Sequence, residues 1–122
     1  MDICADNRQR LAGRFRECLD AFYVLGDPHR QEIILILLES DTFGMSVQDI
    51  TSRMPISRPA VSYHLKALKG AGIVQVVGNG TSNLYSLNAD SSIWSRLREL
   101  SEDICEVIDA AKKASIIRIK EE

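Results

Sequence analysis

The sequence is poor in cysteine and aromatic residues, has no long apolar run, and contains one forty-residue stretch without a single acid. Its longest uninterrupted apolar run is Ile33 to Leu38, far short of the ~20 residues that a membrane span needs. The opening MDICADNRQR has no basic segment followed by an apolar one, so no secretory signal is read there, and a cytoplasmic location without membrane contact is expected. Three cysteines, Cys4, Cys18 and Cys105, are too few and too scattered for a secreted disulfide framework. None belongs to a Cys-x-x-Cys pair, which argues against structural zinc. Paired catalytic carboxylates, a nucleophile beside a base and a phosphate-binding loop are also missing. No catalytic residue is therefore assigned, and neither an enzyme nor a cofactor is expected.

What remains is the composition of an ordinary globular chain: 122 residues, 45% apolar and 26% charged. That length is expected to form a single domain with a real core. The formal charge of −2 conceals an asymmetry. From Ile50 to Ala89 there are four basic residues, Arg53, Arg58, Lys66 and Lys69, and neither Asp nor Glu, so all 17 acids lie elsewhere. An acid-free stretch in an otherwise acidic chain marks the surface that could approach a polyanion.

Leu11, Phe15, Cys18, Leu19 and Phe22 recur at helical spacing and predict one amphipathic helix over 8–25, closed by Gly26. Asp27 is an N-cap and Pro28 fits a first helical position, so a second helix is expected to about Ser40. Its run IILILL predicts burial on most sides. DTFGM reads as a loop. Ser46 with Asp49 resembles a capping box and opens a short third helix through about Met54, which Pro55 stops. Ser57 caps a fourth helix that ends at the glycines of KGAG. β-branched residues in IVQVV, the Asn79-Gly80 turn signal and TSNLYSL then predict a hairpin. Asp90 or Ser91 caps a long last helix carrying Ile93, Leu97, Leu100, Ile104 and Ile108 on one stripe, with Lys112 and Lys113 at its end. SIIRIKEE fits either a helical extension or an extended arm. The order α-α-α-α-β-β-α is a mainly α (α+β) winged helix-turn-helix.

Two segments carry a resemblance. LGDPHRQEIILILL is similar to the L-x-D-P-x-R-hydrophobic run of the ArsR/SmtB family of bacterial winged-helix repressors. ISRPAVSYHLKALKGAGIV is similar to that family's L-S-x-x-x-[VI]-S-x-H-L-x-x-L-x-x-A-G-[LI]-V, and VGNGTSNLYSL stands where the family has its wing. The match covers about residues 20–90. It implies a homodimer that represses by occupying a pseudo-palindromic operator, with the first and last helices pairing across a two-fold axis. The chain then divides into a winged-helix core over 26–90, dimerisation helices over 8–25 and 91–113, and a tail over 114–122. Leu11, Phe15, Leu19, Phe22, Ile93, Leu97, Leu100, Ile104 and Ile108 become the candidate dimer interface.

Double-stranded DNA is the expected partner, and the fourth helix is the expected reader. Short polar residues near its start permit close approach to the major groove. Ser62 suits a base edge or a phosphate, Arg58 a bidentate contact with guanine, and Tyr63 a phosphate or a thymine methyl. Pro59 shares this face. Ser57 is a cap first and a DNA contact second. Lys66, Lys69 and Arg53 fit phosphates, with solvated surface lysines as the alternative for the first two. His64 completes an i, i+3, i+4, i+7 set with Val61, Leu65 and Leu68, and reads as a packed or hydrogen-bonded structural histidine. His29 reads as a surface residue where the family often has Thr. The wing departs from the family's basic tips: Gly78, Asn79, Gly80, Thr81, Ser82 and Asn83 are all uncharged. Asn79 and Thr81 remain candidate phosphate ligands, with a shallower salt dependence as the consequence.

The family's metal sites draw on cysteines in the third helix or histidines in the last. SVQDITSRM has neither Cys nor His, and SIWSRLRELSEDICEVIDAAKK has no His, so no metal site of those kinds is expected. Cys18 and Cys105 are read as buried structural thiols, with a thiol switch between flanking helices as the alternative. The inducer is not legible in the residues. A winged helix used for protein–protein contact, with no specific DNA site, is the rival reading.

Overall fold

The computed structural model describes residues 3–78, 82–88 and 92–114. Six helices and two strands lie among them: α1 (Ile3–Glu17), α2 (Leu19–Leu25), α3 (Pro28–Glu39), α4 (Val47–Thr51), α5 (Arg58–Gly70), β1 (Val74–Gly78), β2 (Asn83–Leu87) and α6 (Ser92–Lys113). None of these helices is long and apolar enough to cross a membrane. The described residues form two compact units, one of residues 3–18 with 95–114, the other within Leu19–Trp94.

The expected single helix over 8–25 is two helices. The first begins earlier, at Ile3, and the chain turns at Cys18, whose N–H bonds the Phe15 carbonyl at 3.0 Å in a tightened last turn. No helix breaker marks this point. Burial decides it: Cys18, Ala21 and Val24 are buried, whereas the larger Phe15, Leu19 and Phe22 are 38–49% exposed. In the first unit, the Arg14 guanidinium pairs with the Asp103 carboxylate and ties α1 to α6. Leu100 is buried there, Leu97 and Ile104 are half-buried, and Ile108 is 41% exposed.

The second unit is organised by its caps. The Asp27 carboxylate accepts the N–H groups of His29 (2.8 Å) and Arg30 (3.2 Å), and Pro28 opens α3 without wasting a donor. Ile33, Ile34 and Ile36 are buried, but Leu35 and Leu38 are 47% and 60% exposed. The apolar run is therefore not buried on most sides as expected. A 3.6-residue repeat spreads a continuous run around the helix, and the side that nothing covers in this unit faces outward. Ser46 Oγ accepts the Asp49 N–H at 3.1 Å to start α4, which closes at Thr51, three residues before the expected end.

Helix α5 stops on a Schellman cap. Ile73 N–H bonds the Leu68 carbonyl (2.9 Å), Gly72 N–H bonds that of Lys69 (3.0 Å), and Gly72 takes φ +77°, a conformation that favours glycine. Leu68 and Ile73, the two apolar residues flanking this cap, are both fully buried. Strands β1 and β2 then pair antiparallel from Val74–Leu87 to Gly78–Asn83. The DTFGM segment is more than a loop. Met45 N–H and C=O exchange two 2.8 Å hydrogen bonds with Tyr85, making an isolated bridge to β2. The expected Asn79-Gly80 turn, the Asp90 or Ser91 cap and the tail from residue 115 lie outside the described residues.

Candidate nucleic-acid interface

Helices α4 and α5 and the hairpin form one surface, and the sequence sets its polarity. Ser57 Oγ accepts the Ala60 N–H at 3.3 Å, and Pro59 sits in the first turn of α5, so the helix begins with its polar residues outermost. Val61, Leu65 and Leu68 are fully buried, and His64 is 9% exposed. The opposite face presents Arg58, Pro59, Ser62, Tyr63, Lys66 and Lys69, all exposed, with Tyr63 at 65%. Arg53, just beyond α4, and Ser57 are exposed too. The structure thus brings eight of the ten candidate DNA-facing residues to the accessible side of this motif, while Asn79 and Thr81 lie outside the described residues.

Sequence reasoning missed part of the groove beside Arg58. Ser46, Val47, Gln48, Ser82 and Asn83 line it together with that arginine. The short polar N-terminus of α4 and the start of β2 thereby meet the start of α5. The packing of α4 on α5, the strand register and the Met45–Tyr85 bridge bring these segments together, and none of these is visible in local sequence. The hairpin base is held from the other side as well. Asn88 N–H bonds the Ile73 carbonyl at 3.1 Å, and Gln75 Nε2 donates to Ser86 Oγ at 3.2 Å.

Behind α5 lies a polar cluster whose members are far apart in sequence. Arg30, itself only 8% exposed, donates from Nε to His64 Nδ1 at 3.1 Å. The Arg30 guanidinium carbon stands 6.0 Å from the Tyr63 ring centroid, and the Tyr63 and His64 rings meet edge-on at 5.5 Å. His64 is therefore the hydrogen-bonded structural histidine its apolar spacing implies. Accepting a bond at Nδ1 requires the ring to keep a lone pair there, so it is neutral with its proton on Nε2. Burial lowers its basicity; the nearby Asp27 carboxylate opposes that, and Arg30 and His29 reinforce it. Burial works to raise the Asp27 carboxyl, but the Arg30 and His29 N–H groups it accepts, with the Arg30 charge, hold it below the usual carboxylate value. Sequence reasoning took Asp27 as a cap and His29 as a surface residue, and did not single out Arg30. The signal for Arg30 is its place in the Asp27-Pro28-His29-Arg30 run, a cation in the first turn just ahead of the apolar segment of α3.

Cys18 is buried as expected, but Cys105, also expected to be buried, is exposed on α6 because it lies beside the apolar stripe of that helix rather than on it; both thiols are free.

The model of bacterial regulatory proteins of the arsR family matches residues 27–76, from the Asp27 cap through the start of the hairpin. Over 79 residues the chain is 34% identical to the transcriptional repressor SdpR of Bacillus subtilis, covering 62% of this chain and 84% of that protein. The chain belongs to the ArsR/SmtB family. Among solved structures it is similar to an ArsR-like transcriptional regulator from Rhodococcus sp. RHA1, with a TM-score of 0.62 and 27% identity over 85% of this chain and 90% of that one. The homodimeric winged helix-turn-helix DNA-binding domain Mb0332 of Mycobacterium bovis shares the fold, with a TM-score of 0.57 and 20% identity over 84% of this chain and 86% of that one. Within this ArsR/SmtB chain, the family match runs through both the α5 face and the Arg30–His64 pair behind it.

Proposed function

We propose that the chain is a homodimeric transcriptional repressor that reads a pseudo-palindromic operator with α5 and is released by an inducing signal. The observation that carries this reading is the outer face of α5: Arg58, Ser62, Tyr63, Lys66 and Lys69 are exposed together, in a stretch without acids. Ser62 and Arg58, near the helix start, read base edges; Lys66 and Lys69 hold phosphate, with Arg53 on a second phosphate. The decisive experiment is titration against random duplex DNA at two salt concentrations. Affinity is expected to fall as salt rises, because each neutralised phosphate releases counterions. Binding that is indifferent to salt, or none at all, sinks the DNA reading in favour of a protein-docking winged helix.

Dimerisation is supported by the homodimeric relative of the same fold and by apolar side chains left uncovered in the single chain. Leu19 is 49% exposed and Ile108 41%. Ile93 and Leu100, by contrast, are already buried within one copy. Changing Leu19 and Ile108 together to Asp is expected to yield a folded monomer with weakened operator affinity. Light scattering that still reports a dimer would count against this interface. Two half-sites then lie about one helical turn, ~10 bp, apart on one face of the duplex.

A further inference from the structure

We propose that Asp27, His29 and His64 form a site for a divalent late transition metal ion, zinc foremost, between the N-terminus of α3 and the middle of α5. One donor atom from each residue lies within 4.8 Å of the other two. Asp27 caps α3, His29 stands in its first turn, and the His29 ring centroid is 5.6 Å from that of His64. All three residues belong to the second compact unit. The site is separate from α4 and α6, the helices where the family resemblance looks for metal ligands.

The donor set is the kind that borderline cations take. Two imidazoles and one carboxylate satisfy zinc, cobalt or nickel and leave a position for water or another ligand. Donors on a tetrahedral zinc, each about 2.1 Å from the metal, stand about 3.4 Å apart. Side-chain rotation of Asp27 and His29 toward His64 is what draws a triangle of at most 4.8 Å to that size. Asp27 uses Oδ1 for both cap hydrogen bonds, so Oδ2 remains available as a ligand and α3 keeps its cap.

His64 makes the site a choice rather than a simple addition. A neutral imidazole offers one ring lone pair, and at Nδ1 that pair already accepts the Arg30 N–H. A metal gains it by displacing Arg30, or takes Nε2 after the ring proton has moved to Nδ1. Either route opens the Arg30–His64 bond, and neither changes the net number of protons on the ring. Arg30 also lies against Tyr63, whose ring is on the exposed face of α5. Ion binding therefore rearranges a side chain directly behind that face. Any effect on operator affinity rests on the function proposed above; the ion site itself does not.

Titration of the full chain with Co2+ tests the site. Stoichiometric uptake is expected, with visible d–d bands, displacement by Zn2+ and no thiolate-to-cobalt charge-transfer band. His29→Ala is expected to weaken Co2+ affinity by at least the about 10–100-fold that even outer-shell partners contribute. Asp27→Asn, which keeps a cap acceptor, is expected to do the same, with circular dichroism showing both variants folded. Should either variant unfold, the ring-nitrogen NMR shifts of His29 and His64 on Zn2+ addition decide, both being expected to move. The proposal fails if the unaltered chain takes up no Co2+, if both variants bind it unchanged, if the histidine shifts stay fixed, or if a thiolate band places the ion on cysteine. DNA binding is measured separately on the same samples. A chain that takes up Co2+ yet ignores DNA overturns the repressor reading alone.

Discussion

Replacing His64 by Leu is expected to destabilise the metal-free protein by about 2–4 kcal/mol. The loss does not come from the histidine's own burial, which a leucine of similar bulk largely restores beside Leu65 and Leu68. It comes from Arg30. That guanidinium is 8% exposed and donates to His64 Nδ1 at 3.1 Å, and leucine leaves a desolvated cation without its acceptor. A second change, Arg30→Met, removes the stranded charge. The double variant is therefore expected to be more stable than His64→Leu alone, which is the signature of a coupled buried pair. Urea unfolding reads this as a drop in midpoint, then a partial recovery, at constant slope. Equal midpoints for the single and double variants would show that Arg30 has other support.

The same residue sets a pH dependence. The groups facing His64 are Asp27, Arg30 and His29, and their net effect with burial is to lower its basicity in the folded state. Below the ordinary histidine value of about 6.5, the unfolded chain thus takes up more protons than the folded one. This contribution to stability is complete above that pH and lost as pH falls below it. With a chelator present, the His64→Leu variant is expected to show a flatter decline between neutral and mildly acidic pH than the unaltered protein.

Arg58→Ala is expected to reduce affinity for an operator selected from random duplex by about tenfold or more, since a bidentate contact to guanine contributes roughly 1–3 kcal/mol of discrimination. Lys66→Ala supplies the contrast. Removal of a phosphate contact weakens operator and random DNA alike and lowers the salt slope by about one. Fluorescence anisotropy on both duplexes at two salt concentrations separates the two outcomes. If Arg58→Ala weakens both duplexes equally, Arg58 holds backbone, and reading falls to Ser62 and Tyr63. Gly78, Ser82 and Asn83 at the described ends of the hairpin are uncharged, so on the proposed reading α5 is expected to supply most of the charged contact.

Features fixed by neighbours in the chain were legible in the sequence. The caps at Asp27, Ser46 and Ser57 follow from short polar side chains reaching N–H groups two or three residues on. The two faces of α5 follow from helical periodicity, and the paired strands from β-branched residues ahead of a turn signal. What was not legible depends on distant partners. The Arg30–His64 bond joins residues 34 apart in sequence, so neither could be read as the other's partner. The turn at Cys18 has no breaker residue; burial of Cys18, Ala21 and Val24 overrode a spacing that also suited one continuous helix. Met45 looked like the end of a loop because a single bridge residue has no periodicity to reveal it.

That bridge has a consequence for how the protein would meet a duplex. Two hydrogen bonds lock Tyr85 of β2 to the residue just before the Ser46 cap of α4. The base of the wing and the entry to the helix-turn-helix therefore share a hydrogen-bonded joint. On the proposed reading of DNA by α5, that joint acts like a caliper jaw, tying the spacing between wing root and α5 so that a duplex of unsuited groove spacing would itself have to bend.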